Sequence, residues 1–166
     1  MLTQIILISF CGGLFCLDRV FIQAMISRPV IIAPLAGLLL NNIYAGLIIG
    51  AFIELIWIDR VPIGTYVPPN DSIAAVVATA VAIISGQKVG GVFPQLIAFS
   101  ILIAIPFGIL AKYMDIYIIK TNEAMSDLAL EEAKKNDIRK IEHKVFWGLA
   151  KVFLFTFFYL LFVQII

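Results

Sequence analysis

One carboxylate, Glu54, sits in the middle of the apolar stretch AGLIIGAFIELIWIDR that runs from residue 45 to residue 60, with Ile53, Leu55 and Ile56 around it. In hydrocarbon a charge of this kind costs roughly 2.5–3.5 kcal/mol on insertion scales, so an intramembrane acid is a functional candidate by default. Gln23, Asn41, Asn42, Asn70 and Asp71 lie in or beside the same broken apolar segments. Carboxylates and amides together offer bidentate hydrogen bonds to a polyhydroxylated ligand, and Trp57 and Tyr66 are candidates for an aromatic face beside it. We therefore take Glu54, Asn70, Asp71, Asn41, Asn42 and Gln23 as the candidate substrate-binding set, with Asn41, Asn42 or Asn70 expected to hydrogen-bond Glu54. Plainer roles stand beside these. Asn41 and Asn42 suit the caps of a broken helix, and Asp71 suits the start of a helix opening at Ser72. Trp57 and Tyr66 suit anchoring at a membrane interface. Arg28 is the rival explanation for Glu54, because a buried Arg–Glu pair would make that acid structural.

Covalent chemistry finds no support. The one histidine, His143, sits between Glu142 and Lys144 in a charged run, where a solvated helix face is its expected place. Nucleophilic catalysis needs a nucleophile beside a base, and no phosphate-loop, zinc-protease or nucleophile-elbow motif occurs. Cys11 and Cys16 are five residues apart, which puts them on different faces of a helix and supports neither metal nor disulfide. The expectation is a protein without cofactor or metal that is not itself an enzyme. Binding and passage remain.

Composition names the solvent. Of the 166 residues, 62% are hydrophobic and 14% charged, and the mean hydropathy is +1.05. Soluble domains sit near 45–50% apolar and about 25% charged, so this is a membrane protein. A net charge of +1 with no basic face gives no reason to expect nucleic acid.

The elements that must position the polar residues follow from the punctuation. Met1 to Leu17 reads as a retained membrane helix, since no Lys or Arg precedes its apolar part. Residues 30–58 are too long for one span and too short for two, and Pro34, Gly37, Asn41-Asn42, Gly46 and Gly50 interrupt them. Two half-length segments, VIIAPLAGLLL and IYAGLIIGAFIELIWI, broken at Asn41-Asn42, account for this pattern as re-entrant or broken helices. Residues 59–71 read as a loop, 72–86 as a short apolar helix rich in small residues, GQKVGG as a loop, and 89–111 as a full span. Residues 112–144 hold most of the charges and a stripe of Met125, Leu128, Ile138, Ile141 and Val145, which predicts one amphipathic helix, supported by a Glu131–Lys135 pair. Its lysines and Arg139 place it in the cytoplasm. Residues 145–166 form a last span, with Lys151 reaching back to its cytoplasmic end. The fold class is thus an all-α polytopic membrane protein with re-entrant half-helices. It divides into a core over 1–111, a cytoplasmic amphipathic helix over 112–144 and a C-terminal transmembrane helix over 145–166.

Residues 27–79, from SRPVIIAPLAG to DSIAAVVAT, resemble the sugar-permease IIC component of the mannose/fructose/sorbose family of the bacterial phosphoenolpyruvate-dependent phosphotransferase system. The resemblance rests on Arg28-Pro29, on Gly46, Gly50 and Glu54, on Ile63-Gly64 and on Pro69-Asn70. Where that family has Gly-Asp and Pro-Asp, this chain has Asn41-Asn42 and Pro69-Asn70, with Asp71 one step later. The resemblance implies a subunit of the bacterial inner membrane that binds and translocates a hexose. It implies a membrane-embedded IID partner, and a soluble IIB phosphocarrier that phosphorylates the sugar. Homo-oligomerisation stays open. The competing reading is a non-transporting scaffold of the same fold that docks a soluble regulator through residues 112–144.

Overall fold

The computed structural model describes residues 2–60 and 63–165, and among them it contains six helices and no strand. These are α1 (Leu2–Leu17), α2 (Pro29–Leu39), α3 (Ile43–Ile56), α4 (Asp71–Val89), α5 (Pro94–Lys134) and α6 (Ile138–Ile165). Helices α4, α5 and α6 are long and apolar enough to cross a membrane, whereas α1, α2 and α3 are apolar but shorter.

Helix α4 is the centre. Every residue from Ser72 to Ala80 is buried, and α4 touches each of the other five helices. Its run of Ala, Val, Ser and Thr explains this: small side chains on all faces let neighbours approach from all sides. Around it α1 lies along α6, α5 along α6, and the α2–α3 pair covers another side.

The chain breaks at Asn41-Asn42 as expected, so no continuous helix runs from Val30 to Ile58. Asn41 takes a left-handed conformation at φ 61°, and the Asn42 side chain caps α3 by accepting from the Ala45 N–H at 3.1 Å. The two helices close on each other because of glycine. A Cβ on Gly46 would overlap the Ala33 carbonyl, one on Gly50 the Pro29 carbonyl, and one on Gly37 the Asn42 carbonyl. The Gly46/Gly50 face thus serves contact between the backbones of α2 and α3. With 11 and 14 residues, these helices reach about 16 and 21 Å, short of a hydrocarbon core of roughly 30 Å.

Two expectations need correction. GQKV does not lie in a loop: α4 continues through Val89 and stops at Gly90, whose φ of 91° caps it. Nor do residues 112–144 form a helix of their own. Helix α5 runs unbroken to Lys134, and α6 starts at Ile138. No Gly or Pro occurs between Lys112 and Lys134 to stop α5 at the end of its apolar part. The turn falls at Asn136, φ 57°, and Asp137 caps α6 by accepting from the Lys140 N–H at 3.3 Å. The hairpin sets Glu132 opposite α6, where Lys140 and Lys144 meet it at 3.6 and 3.8 Å. These two pairs tie the helices together where a Glu131–Lys135 pair within one helix was expected, and Asp137–Lys140 at 3.0 Å holds the first turn of α6. The loop over residues 59–70 is non-helical where described; Val61 and Pro62 lie outside the described residues, as do Met1 and Ile166.

Candidate functional site

At the level where α1 and α3 end and α2 and α4 begin, the chain forms an open cavity of about 770 Å³. Four parts of the chain meet there: the α1–α2 loop, the loop before α4, the middle of α5 and the middle of α6.

The α1–α2 loop is built around Asp18, which is 3% exposed. Its carboxylate accepts from the Ala24 N–H at 2.8 Å and from the Ser27 N–H and hydroxyl at 3.2 and 3.4 Å. Burial pushes this carboxyl up, but the N–H groups of Ala24, Ser27 and Ile26 and the Ser27 hydroxyl outweigh it and hold it below the ordinary range. The loop is closely determined, for Gln23 and Met25 both hold positive φ, at 57° and 64°. Such backbone persists only where its surroundings impose it, and it concentrates at functional sites. The loop is fastened at both ends to the start of α4. Arg19 pairs with Asp71 and donates to the Ser72 hydroxyl at 3.2 Å. That hydroxyl in turn donates to the Ser27 carbonyl at 2.6 Å.

Asn70 joins α4 to α5. It is 4% exposed; its side-chain oxygen caps α4 by accepting from the Ile73 N–H at 3.0 Å, and its amide donates to Asp115 at 2.9 Å. Its backbone N–H donates to the Gly108 carbonyl at 2.9 Å. The guanidinium of Arg19 also lies 3.8 Å from Asp115. Arg19, Asn70, Asp71 and Asp115 therefore form one network at the cavity wall. Trp57 lies against Gly108, and the Tyr66 ring is covered by the Lys112 ammonium at 4.9 Å; both rings line the cavity.

The expected site residues separate into two groups. Gln23, Asn70 and Asp71 line the cavity. Glu54 does not: it pairs with Arg28 at 2.9 Å and accepts from the Val30 N–H at 3.4 Å. The expected bonds from Asn41, Asn42 or Asn70 to Glu54 are absent among the described residues, since the first two sit at the far tip of the hairpin and Asn70 is turned to Asp115. Arg28 provides no side-chain cap for α2, so Glu54 serves its first turn instead. His143 is exposed and accepts from the Trp147 indole at 2.7 Å.

Sequence reading missed Arg19 and Asp115 as site residues. Arg19 was visible only as one of several polar residues after α1. Asp115 looked like part of a solvated charged run, yet it continues the face of Ala104, Gly108, Ala111 and Ile118, all buried, at helical spacing. An acid in register with a buried stripe was the available signal.

The family model described as the sorbose-specific IIC component of the phosphotransferase system matches residues 2–166. The chain belongs to this family. Among curated members, the candidate N-acetylgalactosamine permease IIC component 2 of Escherichia coli K12 is 32% identical over 120 residues, covering 70% of this chain and 88% of that protein. The mannose-specific IIC component of Escherichia coli K12 is 26% identical over 133 residues, covering 80% of this chain and 47% of the relative. This sorbose-type IIC chain thus spans less than half of that relative's length. The cryo-EM structure of the mannose transporter ManYZ in complex with microcin E492 superposes with a TM-score of 0.80 at 21% identity, over 99% of this chain and 62% of that one. That likeness establishes the fold of a membrane transporter chain. The matched region extends well past residues 27–79, where the motifs stand.

Proposed function

We propose that this IIC chain is the permease subunit of a sugar phosphotransferase system, and that a hexose binds in the cavity walled by Arg19, Asn70, Asp71 and Asp115. The carrying observation is the cavity itself. It has room for a hexose, and its wall alternates acceptors on Asp71 and Asp115 with donors on Arg19, beside the rings of Trp57 and Tyr66. Sites of this kind are concave, with a few fixed polar groups that set orientation. A cavity with room for a hexose supports transport over the scaffold reading, which needs none.

On this reading the α2–α3 hairpin enters the bilayer of a bacterial inner membrane without crossing it, since both helices are shorter than the hydrocarbon core. A membrane-embedded IID subunit completes the path, a reading supported by the likeness in fold to the mannose transporter ManYZ. Phosphoryl transfer falls to a soluble IIB component. The test is equilibrium binding of radiolabelled mannose, fructose, sorbose and galactose to membranes containing the protein with its co-expressed subunits. Saturable binding of at least one hexose is expected, weakened tenfold or more by Asp71→Ala. Binding indifferent to Asp71→Ala places the sugar elsewhere and overturns the site.

A further inference from the structure

Helix α5 meets the start of α4 and the end of α3 at one buried residue, Gly108. A Cβ there would stand 3.0 Å from the Ala74 Cβ, 3.0 Å from the Cη2 of Trp57 and 3.1 Å from the Asn70 carbonyl oxygen, all inside the 3.4 Å at which ordinary contact begins. Trp57 lines the cavity, and Gly108 stands behind the far edge of its ring rather than on the cavity wall.

Which neighbour would yield to a methyl group follows from how each is held. Helix α5 is pinned on two sides here. The Gly108 carbonyl accepts from the Asn70 N–H at 2.9 Å, and the Phe107 carbonyl accepts from the Tyr159 hydroxyl of α6 at 2.7 Å. On the α4 side, the Asn70 carbonyl accepts from the Ala74 N–H at 3.2 Å, and both residues are buried. Neither can retreat without moving α4, against which the other helices pack. Trp57 is held differently. It is the half-buried C-cap of α3, with exposed chain over residues 58–60 after it. Its contact with Gly108 is the outer edge of the ring, which side-chain rotation can swing. In a close-packed interior the added volume goes to the least constrained neighbour, and that neighbour is the indole.

We propose that Gly108 is a positioning residue of the sugar site, whose missing side chain lets the Trp57 ring stand back against α5 and sets where that aromatic surface meets the sugar. The proposal rests on the sugar-site reading above and adds the residue that fixes one wall of it. Gly108 does not touch the sugar; it acts through Trp57. Contact between an aromatic ring and the C–H groups of a sugar is short-ranged, and a displacement of roughly 0.5–1 Å forfeits about a quarter to a half of the attraction.

The experiment is a double-mutant cycle read on hexose affinity in membranes containing the complete transporter. Gly108→Ala is expected to weaken binding about fivefold, on the scale of an aromatic contact. Trp57→Phe removes the outer edge of the ring, so adding Gly108→Ala to it is expected to weaken binding by less than about twofold more. Ala74→Gly opens space on the α4 side instead and is expected to restore nothing. Trp147→Phe leaves Trp57 as the one tryptophan of the chain, and in that background Gly108→Ala is expected to shift the emission of the purified full chain. An equal loss from Gly108→Ala in the Trp57→Phe background overturns the proposal, as does recovery by Ala74→Gly or an unmoved emission. If Gly108→Ala alone does not fold, the same cycle is read on the yield of folded protein. Recovery by Trp57→Phe then supports the proposal, and recovery only by Ala74→Gly, or by neither, overturns it. If the wild type binds no hexose, the sugar site itself is wrong and the proposal falls with it. Hexose binding that Gly108→Ala leaves unchanged removes the proposal alone.

Discussion

Replacing Glu54 by Gln separates a clamp from a binding residue. The carboxylate meets Arg28 at 2.9 Å, with side-chain exposures of 22% for Glu54 and 51% for Arg28. At that exposure an ion pair contributes about 0.2–1 kcal/mol. The second contact, from the Val30 N–H at 3.4 Å, is long for a hydrogen bond and adds little. The amide retains an acceptor and loses the charge, so Glu54→Gln is expected to cost about 1 kcal/mol. For a domain of this size that lowers Tm by about 2–4 °C. Fluorescence-detected thermal unfolding in detergent measures the shift, and hexose binding to the same preparation measures the site. Stability should fall while hexose affinity stays within about twofold. The cost should vanish in an Arg28→Gln background, because the partner is then already gone. Hexose affinity that falls tenfold at unchanged Tm would refute the clamp and return Glu54 to the sugar site.

Gly46→Ala forces a methyl group into the Ala33 carbonyl and is expected to cost about 1–3 kcal/mol by overpacking α2 against α3. Gly64→Ala meets nothing in space and bears only the strain of φ 63°, so equal Tm losses for the two variants would contradict the close hairpin. A cysteine at Asn136, on the turn between α5 and α6, should react with impermeant thiol reagents only after the cells are opened; reaction in intact cells would reverse the topology. The Asp18 carboxyl is held below its ordinary value, so the loop stability it contributes is fully present above the ordinary carboxylate range near pH 4 and is lost as pH falls through the lowered native value. Proteolysis of the Asp18–Arg28 loop against pH should show this acid-induced opening in the wild type, whereas Asp18→Asn should be more easily cleaved already at neutral pH and vary little below it.

Much of the fold was legible along the chain, because it depends on contrasts between neighbours in sequence. Apolar runs among few charges mark the membrane, and Asn41-Asn42 between two short apolar segments marks the hairpin tip. The small residues of 72–80 mark the helix that others surround, and Gly46 and Gly50 mark a face for close approach. Asp71 could be placed at a helix start, although the structure gives the cap of α4 to Asn70 and makes Asp71 its first residue. What only the tertiary structure decided is which residues meet across long separations. Glu54 and Arg28 are 26 residues apart, Asn70 and Asp115 45, and Arg19 and Asp71 52. Periodicity shows that a face is buried, but not which helix lies opposite or at what height. An acid such as Glu54 or Asp115 therefore has several chemically equivalent partners until the helices are docked. The reach of α5 past the apolar zone was hidden for a related reason. Polarity changes at Lys112, but helical hydrogen bonding does not depend on polarity, and the chain turns only at Asn136, where the backbone adopts the left-handed conformation that ends the helix.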